Sequence, residues 1–460
     1  MKRLIIVYLL GFWFNGASQE VSEPPGILKD SVEVKGASGE SYTLYLPSTY
    51  KIDESSPIVF IFDPAARGLA GVRPFIEASE KYNHILICSN NAKNGPYTPN
   101  LQIADRLFQT VLPAYSIDQN RIYTAGFSGG SRLAAAIAVL SNAMQGVIAC
   151  GAGFPKSPMY FPNSNNSFTY VGLVGDLDMN YQEMHKTSEW MAKLGLQHEL
   201  FLFEGEHQWP PPATIVKAFD WLERQAIARG LVPINEEQNK NSFDETLATA
   251  RAYEEKGKLL EAVTEYERLL KDFSGYMPVD SLQPKIKRIK KQKAYKKALA
   301  IQKKVAVLED TLSSNFLKRF RDEIAQGKSP DEFKWWKNRV KNLRQKYSNS
   351  EDTVYQKMGF RLERQLFALA IESFNSFLRE NKVNQIQYTE QLLLVLAPDN
   401  PLAHYQLARG YASRNMIEKS LLHLEKVLQL GWTNKDFIRS TKEFIQLKEH
   451  PEFKRILSTY

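Results

Sequence analysis

Two kinds of hydrophobic patterning divide this chain. Between residues 27 and 230, short apolar runs alternate with longer stretches whose apolar residues fall at helical spacing. Ser41 to Leu46 reads as a strand, and Pro57 to Phe62 as a second one, apolar throughout, as a strand covered on both faces must be. His84 to Ile87, Arg121 to Ala125, Gly146 to Ala149, Tyr170 to Val174 and Leu200 to Phe203 are further strand-like runs. Leu101 to Pro113, Ser131 to Leu140, Met184 to Gly195 and Ala213 to Ala228 read as the helices between and after them. Alternation of this kind predicts a doubly wound parallel sheet with helices on both faces, hence an α/β domain over residues 27–230.

After Pro233 the pattern changes. Residues 234–460 hold few strand-like runs and many charged amphipathic ones, which predicts an all-α region. Ala250, Tyr253, Gly257, Ala262 and Tyr266 fall at the spacing of a tetratricopeptide helix pair. Ala408, Tyr411, Ser420 and Leu424 repeat it after Pro398-Asp399-Asn400-Pro401, and a weaker pair lies between about 367 and 398. A degenerate helical-repeat region is the expectation, with a generic helical bundle as the alternative.

The N-terminus changes the compartment. Lys2 and Arg3 precede an apolar stretch from Leu4 to Phe14, and the small residues Gly16, Ala17 and Ser18 follow. This reads as a signal peptide over residues 1–18, and implies a secreted or periplasmic protein. The stretch is short for a membrane span, and no later segment is apolar for long enough, so no transmembrane span is expected. Cys88 and Cys150, the only cysteines, each close a strand-like run. Buried free thiols are the plain reading, and an oxidising compartment leaves a disulfide open. The seven histidines are scattered, with no metal-ligand spacing.

The chain is 43% hydrophobic and 24% charged, ordinary globular values, with a formal charge of +8. Much of that charge sits between Lys285 and Lys304. Lys285, Lys287, Arg288, Lys290, Lys291, Lys293, Lys296, Lys297, Lys303 and Lys304 occur there without an acid. A solvated helix face accounts for such a run, and attraction to a protein or anionic envelope component is the functional alternative. No nucleic-acid-binding module is present, so nucleic acid is not an expected partner.

Chemistry enters at Gly126-Phe127-Ser128-Gly129-Gly130. The motif is G-x-S-x-G, preceded by a strand-like run and followed by an alanine-rich helix. A serine at so sharp a turn is lifted above the sheet edge. It needs a base, and the base an orienting acid. Gly175-Asp176-Leu177-Asp178 follows the Tyr170–Val174 run, and Glu204-Gly205-Glu206-His207 follows Leu200–Phe203. An acid and a histidine just past successive strand ends can converge on the serine.

With these landmarks, and with Gly205-Glu206-His207-x-Trp209-Pro210, residues 30–230 resemble the α/β-hydrolase superfamily, in particular compact secreted esterases and polyester depolymerases. The resemblance implies a serine hydrolase that needs no cofactor and cleaves carboxylic esters. Separately, few residues separate the strand ends, so no large cap is expected, and an open cleft suits an ester on a larger molecule. Ser128 is then the nucleophile, His207 the base and Asp178 the acid, favoured over Asp176 by family spacing. Backbone N–H groups of Ala65 and Gly129 are the expected oxyanion donors. The oxyanion loop departs from the usual His-Gly pattern: Asp63-Pro64-Ala65-Ala66-Arg67-Gly68 stands there, and Asp63 could instead pin the loop. A serine peptidase of the same fold and a non-catalytic binding protein on this scaffold are the alternatives. His84, His185 and His198 are read as structural.

Overall fold

A computed structural model of the protein describes residues 24–460, so the expected signal peptide, residues 1–18, lies outside the described residues. Eight strands form one sheet: β1 (Leu28–Glu33), β2 (Ser41–Tyr45), β3 (Ser56–Phe62), β4 (Ile85–Ser89), β5 (Ile117–Phe127), β6 (Gly146–Cys150), β7 (Thr169–Gly175) and β8 (His198–Phe203). Their order is β1-β2-β4-β3-β5-β6-β7-β8. The β1–β2 and β2–β4 pairs are antiparallel and every later pair is parallel. This is the α/β-hydrolase arrangement, with the predicted parallel sheet extended by an antiparallel edge.

The helices α1 (Gly68–Val72), α2 (Ile76–Tyr82), α3 (Tyr97–Val111), α4 (Gly129–Ser141), α5 (Tyr181–Leu194) and α6 (Pro212–Ala228) complete the layers. Side chains of a strand alternate between faces, and β3 shows the consequence. Its Ile58, Phe60 and Phe62 join Leu107, Phe108, Ile137 and Met184 in one core. Its Val59 and Ile61 join Phe75, Ile215, Phe219 and Trp221 in the other. Both faces are covered, which is why the strand reads as an unbroken apolar run.

Three more helices, α7 (Glu236–Glu255), α8 (Leu259–Phe273) and α9 (Leu282–Lys291), belong to the same compact unit as the sheet. The division into units falls between Ala300 and Ile301, inside α10 (Lys293–Gln326), rather than at the change of pattern after Pro233. Polar groups account for the difference. The buried Arg268 guanidinium of α8 lies over the Phe201 ring at 4.2 Å and donates to Glu199 Oε1 and Leu200 O of the edge strand β8 at 3.2 and 3.3 Å. Arg224 of α6 donates to Ser242 Oγ at 2.8 Å. Charged partners of this kind leave no mark on apolar periodicity.

The second unit, from Ile301 onward, is helical: the rest of α10, then α11 (Lys334–Leu343), α12 (Thr353–Arg379), α13 (Val383–Leu396), α14 (Pro401–Ser413), α15 (Ile417–Gln429), α16 (Lys435–Ser440) and α17 (Pro451–Thr459). Some of the residues read as repeat positions lie between paired helices. Ala250, Ala262 and Tyr266 are buried between α7 and α8, and Gly257 turns between them at φ +70°. In the last pair Ser420 Oγ donates to Ala408 O at 2.9 Å. Cys88 and Cys150 are free and buried; burial raises both thiol pKa values.

Candidate functional site

β5 ends at Phe127 and α4 begins at Gly129, leaving Ser128 alone at the turn. Its φ of +53° and ψ of −118° are strained for a residue with a Cβ. The strain is held by the surroundings. Ser128 N–H donates to Cys150 O at 2.9 Å, and Arg132 N–H donates back to Ser128 O at 3.1 Å. A Cβ on Gly130 would lie 1.9 Å from Phe62 O, so only glycine lets the helix start this close to β3.

Asp178 and His207 follow the ends of β7 and β8 and converge on that turn. His207 Nε2 is 2.9 Å from Ser128 Oγ, and His207 Nδ1 is 2.9 Å from both oxygens of Asp178. With Nδ1–H donating to the carboxylate, Nε2 is left to accept the serine proton. Asp178 is fully buried and its Oδ1 also accepts Asn180 N–H at 2.8 Å. Gly151 completes the fit. A Cβ there would stand 2.9 Å from the Phe127 ring, 3.1 Å from Asp178 Oδ2 and 3.3 Å from His207 Cε1.

The structure also separates the two aspartates. Asp176 Oδ1 accepts Gly205 N–H at 3.1 Å, bracing the loop that carries His207, while Asp178 touches the imidazole itself. His84 is buried, its Nδ1 2.9 Å from Tyr82 O, and burial, with Arg121 nearby, lowers its pKa to about 3. His198 Nδ1 lies 2.8 Å from Leu196 O. Neither belongs to the site.

The loop after β3 differs from the expectation. Ala65 N–H, expected as an oxyanion donor, donates instead to Asp63 Oδ1 at 2.8 Å. Asp63 is completely buried, and a buried carboxylate collects donors. It also accepts Arg67 Nε at 2.9 Å, Arg67 Nη2 at 2.9 Å and Trp209 Nε1 at 3.1 Å. Burial pushes its pKa up, but bonds from Arg67, Ala65 and Trp209 outweigh burial and hold it below the usual carboxylate value. Gly129 N–H, the other expected donor, stands at the first turn of α4, where no intrahelical acceptor exists.

Trp209 is therefore drawn toward the body of the domain, its ring 5.4 Å from Phe127, and Phe127 lies 4.6 Å from the His207 ring. In the loop from Phe154 to Ser167, Tyr160 is buried and meets Tyr97 at 4.8 Å, while Met159 and Phe161 remain exposed. A small cavity of about 50 Å³ beside the elbow is lined by Asn94, Tyr97, Gly129, Gly130 and Leu133 among others. Among the described residues no group of three His, Cys, Asp or Glu side chains is arranged to hold a metal ion, and no helix is long and apolar enough to cross a membrane.

No protein-family model matches the chain, and no curated protein matches it. Solved structures resemble part of it. A hyperthermophilic esterase from Pyrobaculum calidifontis aligns with 12% identity and a TM-score of 0.36, over 45% of this chain and 88% of the other. An S-formylglutathione hydrolase from Staphylococcus aureus aligns with 11% identity and a TM-score of 0.35, over 43% and 96%. An acylaminoacyl peptidase from Pyrococcus horikoshii aligns with 12% identity and a TM-score of 0.33, over 44% and 41%.

Proposed function

We propose that the protein is a secreted or periplasmic serine hydrolase that cleaves carboxylic esters through an acyl-enzyme. One observation carries the reading: the two ring nitrogens of His207 bridge Ser128 Oγ and the buried Asp178 carboxylate at 2.9 Å each, at a strained turn between strand and helix. Ser128 Oγ attacks the ester carbonyl carbon as His207 Nε2 takes its proton. The tetrahedral intermediate collapses, the alcohol leaves with the proton from His207, and water repeats the sequence to release the acid and restore Ser128. Asp178 holds the imidazole tautomer and stabilises its charged form. None of these steps calls on a cofactor.

The test is covalent labelling by a fluorophosphonate probe together with turnover of a panel of acyl and aryl esters, with peptide amides in parallel. Ser128→Ala is expected to abolish labelling and to lower kcat by several orders of magnitude, about 10⁶-fold in the best-studied triads. Labelling at another residue, or turnover unaffected by the substitution, rejects the assignment.

The helical part is proposed to hold a protein or anionic envelope component. Lys285 and Arg288 are engaged with Glu254, and Lys290 with Glu267. Lys287, Lys291, Lys293, Lys296 and Lys297 are exposed, with no carboxylate of the described residues in salt-bridge range. Such a field acts over about 8 Å at physiological salt. Retention of the protein on its native envelope at low salt and release at high salt is the expected behaviour; indifference to salt counts against it.

A further inference from the structure

Acyl transfer at Ser128 leaves one requirement unmet. A tetrahedral intermediate carries a full negative charge on oxygen, and preorganised donors must meet it. The loop after β3 is where such a fold would be expected to supply one, yet its N–H groups are already committed. Pro64 has none. Ala65 N–H donates to Asp63 Oδ1 at 2.8 Å, Ala66 N–H to Asp63 O at 3.1 Å, Arg67 N–H to Asp63 Oδ1 at 3.3 Å and Gly68 N–H to Asn90 Oδ1 at 3.1 Å. Gly129 N–H is then one donor without a companion.

A side chain stands in the right place. Asn94 sits on the turn that faces the Asp63 loop, and its backbone N–H donates to Pro64 O at 2.8 Å. Lys93, the preceding residue, forms an isolated bridge with Ala65. The buried Asn100 braces the turn from behind: its Oδ1 accepts Lys93 N–H at 3.0 Å, and its Nδ2 donates to Lys93 O at 2.8 Å and Pro96 O at 3.0 Å. The main chain of Asn94 is thus fixed while its carboxamide is exposed and hydrogen-bonded to no described residue. That carboxamide lies against Gly129. A Cβ on Gly129 would fall 1.7 Å from Asn94 Oδ1 and 2.8 Å from its Cγ. Oδ1 and Nδ2 are nearly isosteric, and half a turn about Cβ–Cγ exchanges them. A neutral carboxamide can therefore present an N–H to an anion next to the Gly129 N–H.

We propose that Asn94 is a catalytic residue, and that its Nδ2–H and the Gly129 N–H together hold the oxyanion, a role that rests on Ser128 being the nucleophile of an acyl transfer. Glycine at 129 then has a second purpose beyond the turn, since any side chain there displaces the Asn94 carboxamide. Asp63 has taken the loop donors for the fold, and a side chain from the β4–α3 turn replaces them.

The experiment compares wild-type protein, Asn94→Ala and Asn94→Asp with p-nitrophenyl acetate and with a trifluoromethyl ketone, whose hemiketal oxyanion mimics the intermediate. Loss of one such donor lowers kcat by about 10²-fold to 10³-fold, so both variants are expected to show that loss with little change in KM. Asn94→Asp keeps the shape and the oxygen facing Gly129 but loses the donor. It must fall at least as far as Asn94→Ala, which a merely structural role would not require. Inhibition by the ketone should weaken in step with kcat/KM. If the wild-type protein labels at Ser128 with a fluorophosphonate and Asn94→Asp keeps its kcat, this proposal alone is overturned. If the wild-type protein neither labels nor turns over esters, the nucleophile reading falls and this one with it.

Discussion

The carboxylate of Asp63, at the end of β3, accepts the indole N–H of Trp209 at 3.1 Å, tying the loop after β3 to the segment just beyond His207. One buried acid thereby sets two loops at once, since the same group fixes Ala65 and Arg67. Asp63→Asn keeps the volume but loses the charge that three sets of donors meet. Hydrogen bonds to charged groups contribute roughly 1.5–3 kcal/mol each in net terms, so the variant should lose about that much stability, read from its urea midpoint. Its kcat should fall with the loosened His207 loop. The pH dependence has a definite sign. The folded pKa of Asp63 is depressed, so its contribution is present above the ordinary carboxylate value and is lost as pH falls through the folded value. The gap between wild type and Asp63→Asn should accordingly close in acid.

Asp178→Asn and Asp176→Asn should behave differently. Asp178 contacts the imidazole, and loss of the orienting acid has cost about 10⁴-fold in kcat in the chymotrypsin-type triad. Asp176 accepts the backbone N–H of Gly205 rather than touching the imidazole, and an asparagine oxygen can still accept that bond. Its variant should keep most of the activity. Steady-state kinetics of the two decide, and the reverse ranking would move the acid to Asp176.

The sequence made the α/β layer legible because it depends on local pattern, and local pattern also singled out Ser128, Asp178 and His207, whose side chains lie within hydrogen-bond distance of one another. Pro57 to Phe62 is apolar because both faces are covered, and the glycines beside Ser128 mark a close approach that nothing else permits. The engagement of the Ala65 N–H by Asp63 is something local pattern cannot express. Whether an N–H is open depends on where a carboxylate two residues earlier turns, and Asp63 turns onto its own loop. Asn94 carries no motif at all, since its relation to Gly129 arises only from folding. The docking of α8 on β8 was hidden for the same reason, resting on Arg268 and Glu199, 69 positions apart.

The second unit carries its own acid sensitivity. His404 Nδ1 and His423 Nδ1 are 2.8 Å apart, and His404 Nε2 is 2.8 Å from Pro398 O. With His404 donating from Nε2, its Nδ1 accepts and His423 Nδ1–H is the donor. Tyr411 stacks on His423 at 5.4 Å. Burial, with His404 adding to it, lowers the His423 pKa to about 4. A folded pKa below the unfolded value means the unfolded chain binds protons first. Stability should therefore fall as pH drops from about 6.5, the ordinary histidine value, toward 4. Urea midpoints at pH 7 and pH 5 check this, and His423→Gln should flatten the difference.

The last prediction concerns where the catalytic unit ends. Every proposed catalytic residue precedes Arg229, so a chain cut there holds the chemistry. It loses α7, α8 and α9, however. Glu199 then loses Arg268 and Lys271, which together offset the burial that would raise its pKa. Arg224 loses Ser242 and Asp272, and the Phe201 ring loses the guanidinium that covers it. A chain ending at Gln292 keeps all of these. The shorter form should melt lower; a deficit of about 2 kcal/mol corresponds to roughly 4–8 °C for a domain of this size. Both should hydrolyse a small soluble ester while folded, because the His207–Ser128 and His207–Asp178 contacts involve no residue beyond 229. Thermal melts of the two forms, with activity followed in parallel, provide the check. Equal melting temperatures would mean that α7 to α9 add nothing to the sheet they cover, and loss of activity in a folded short form would mean that they shape the site.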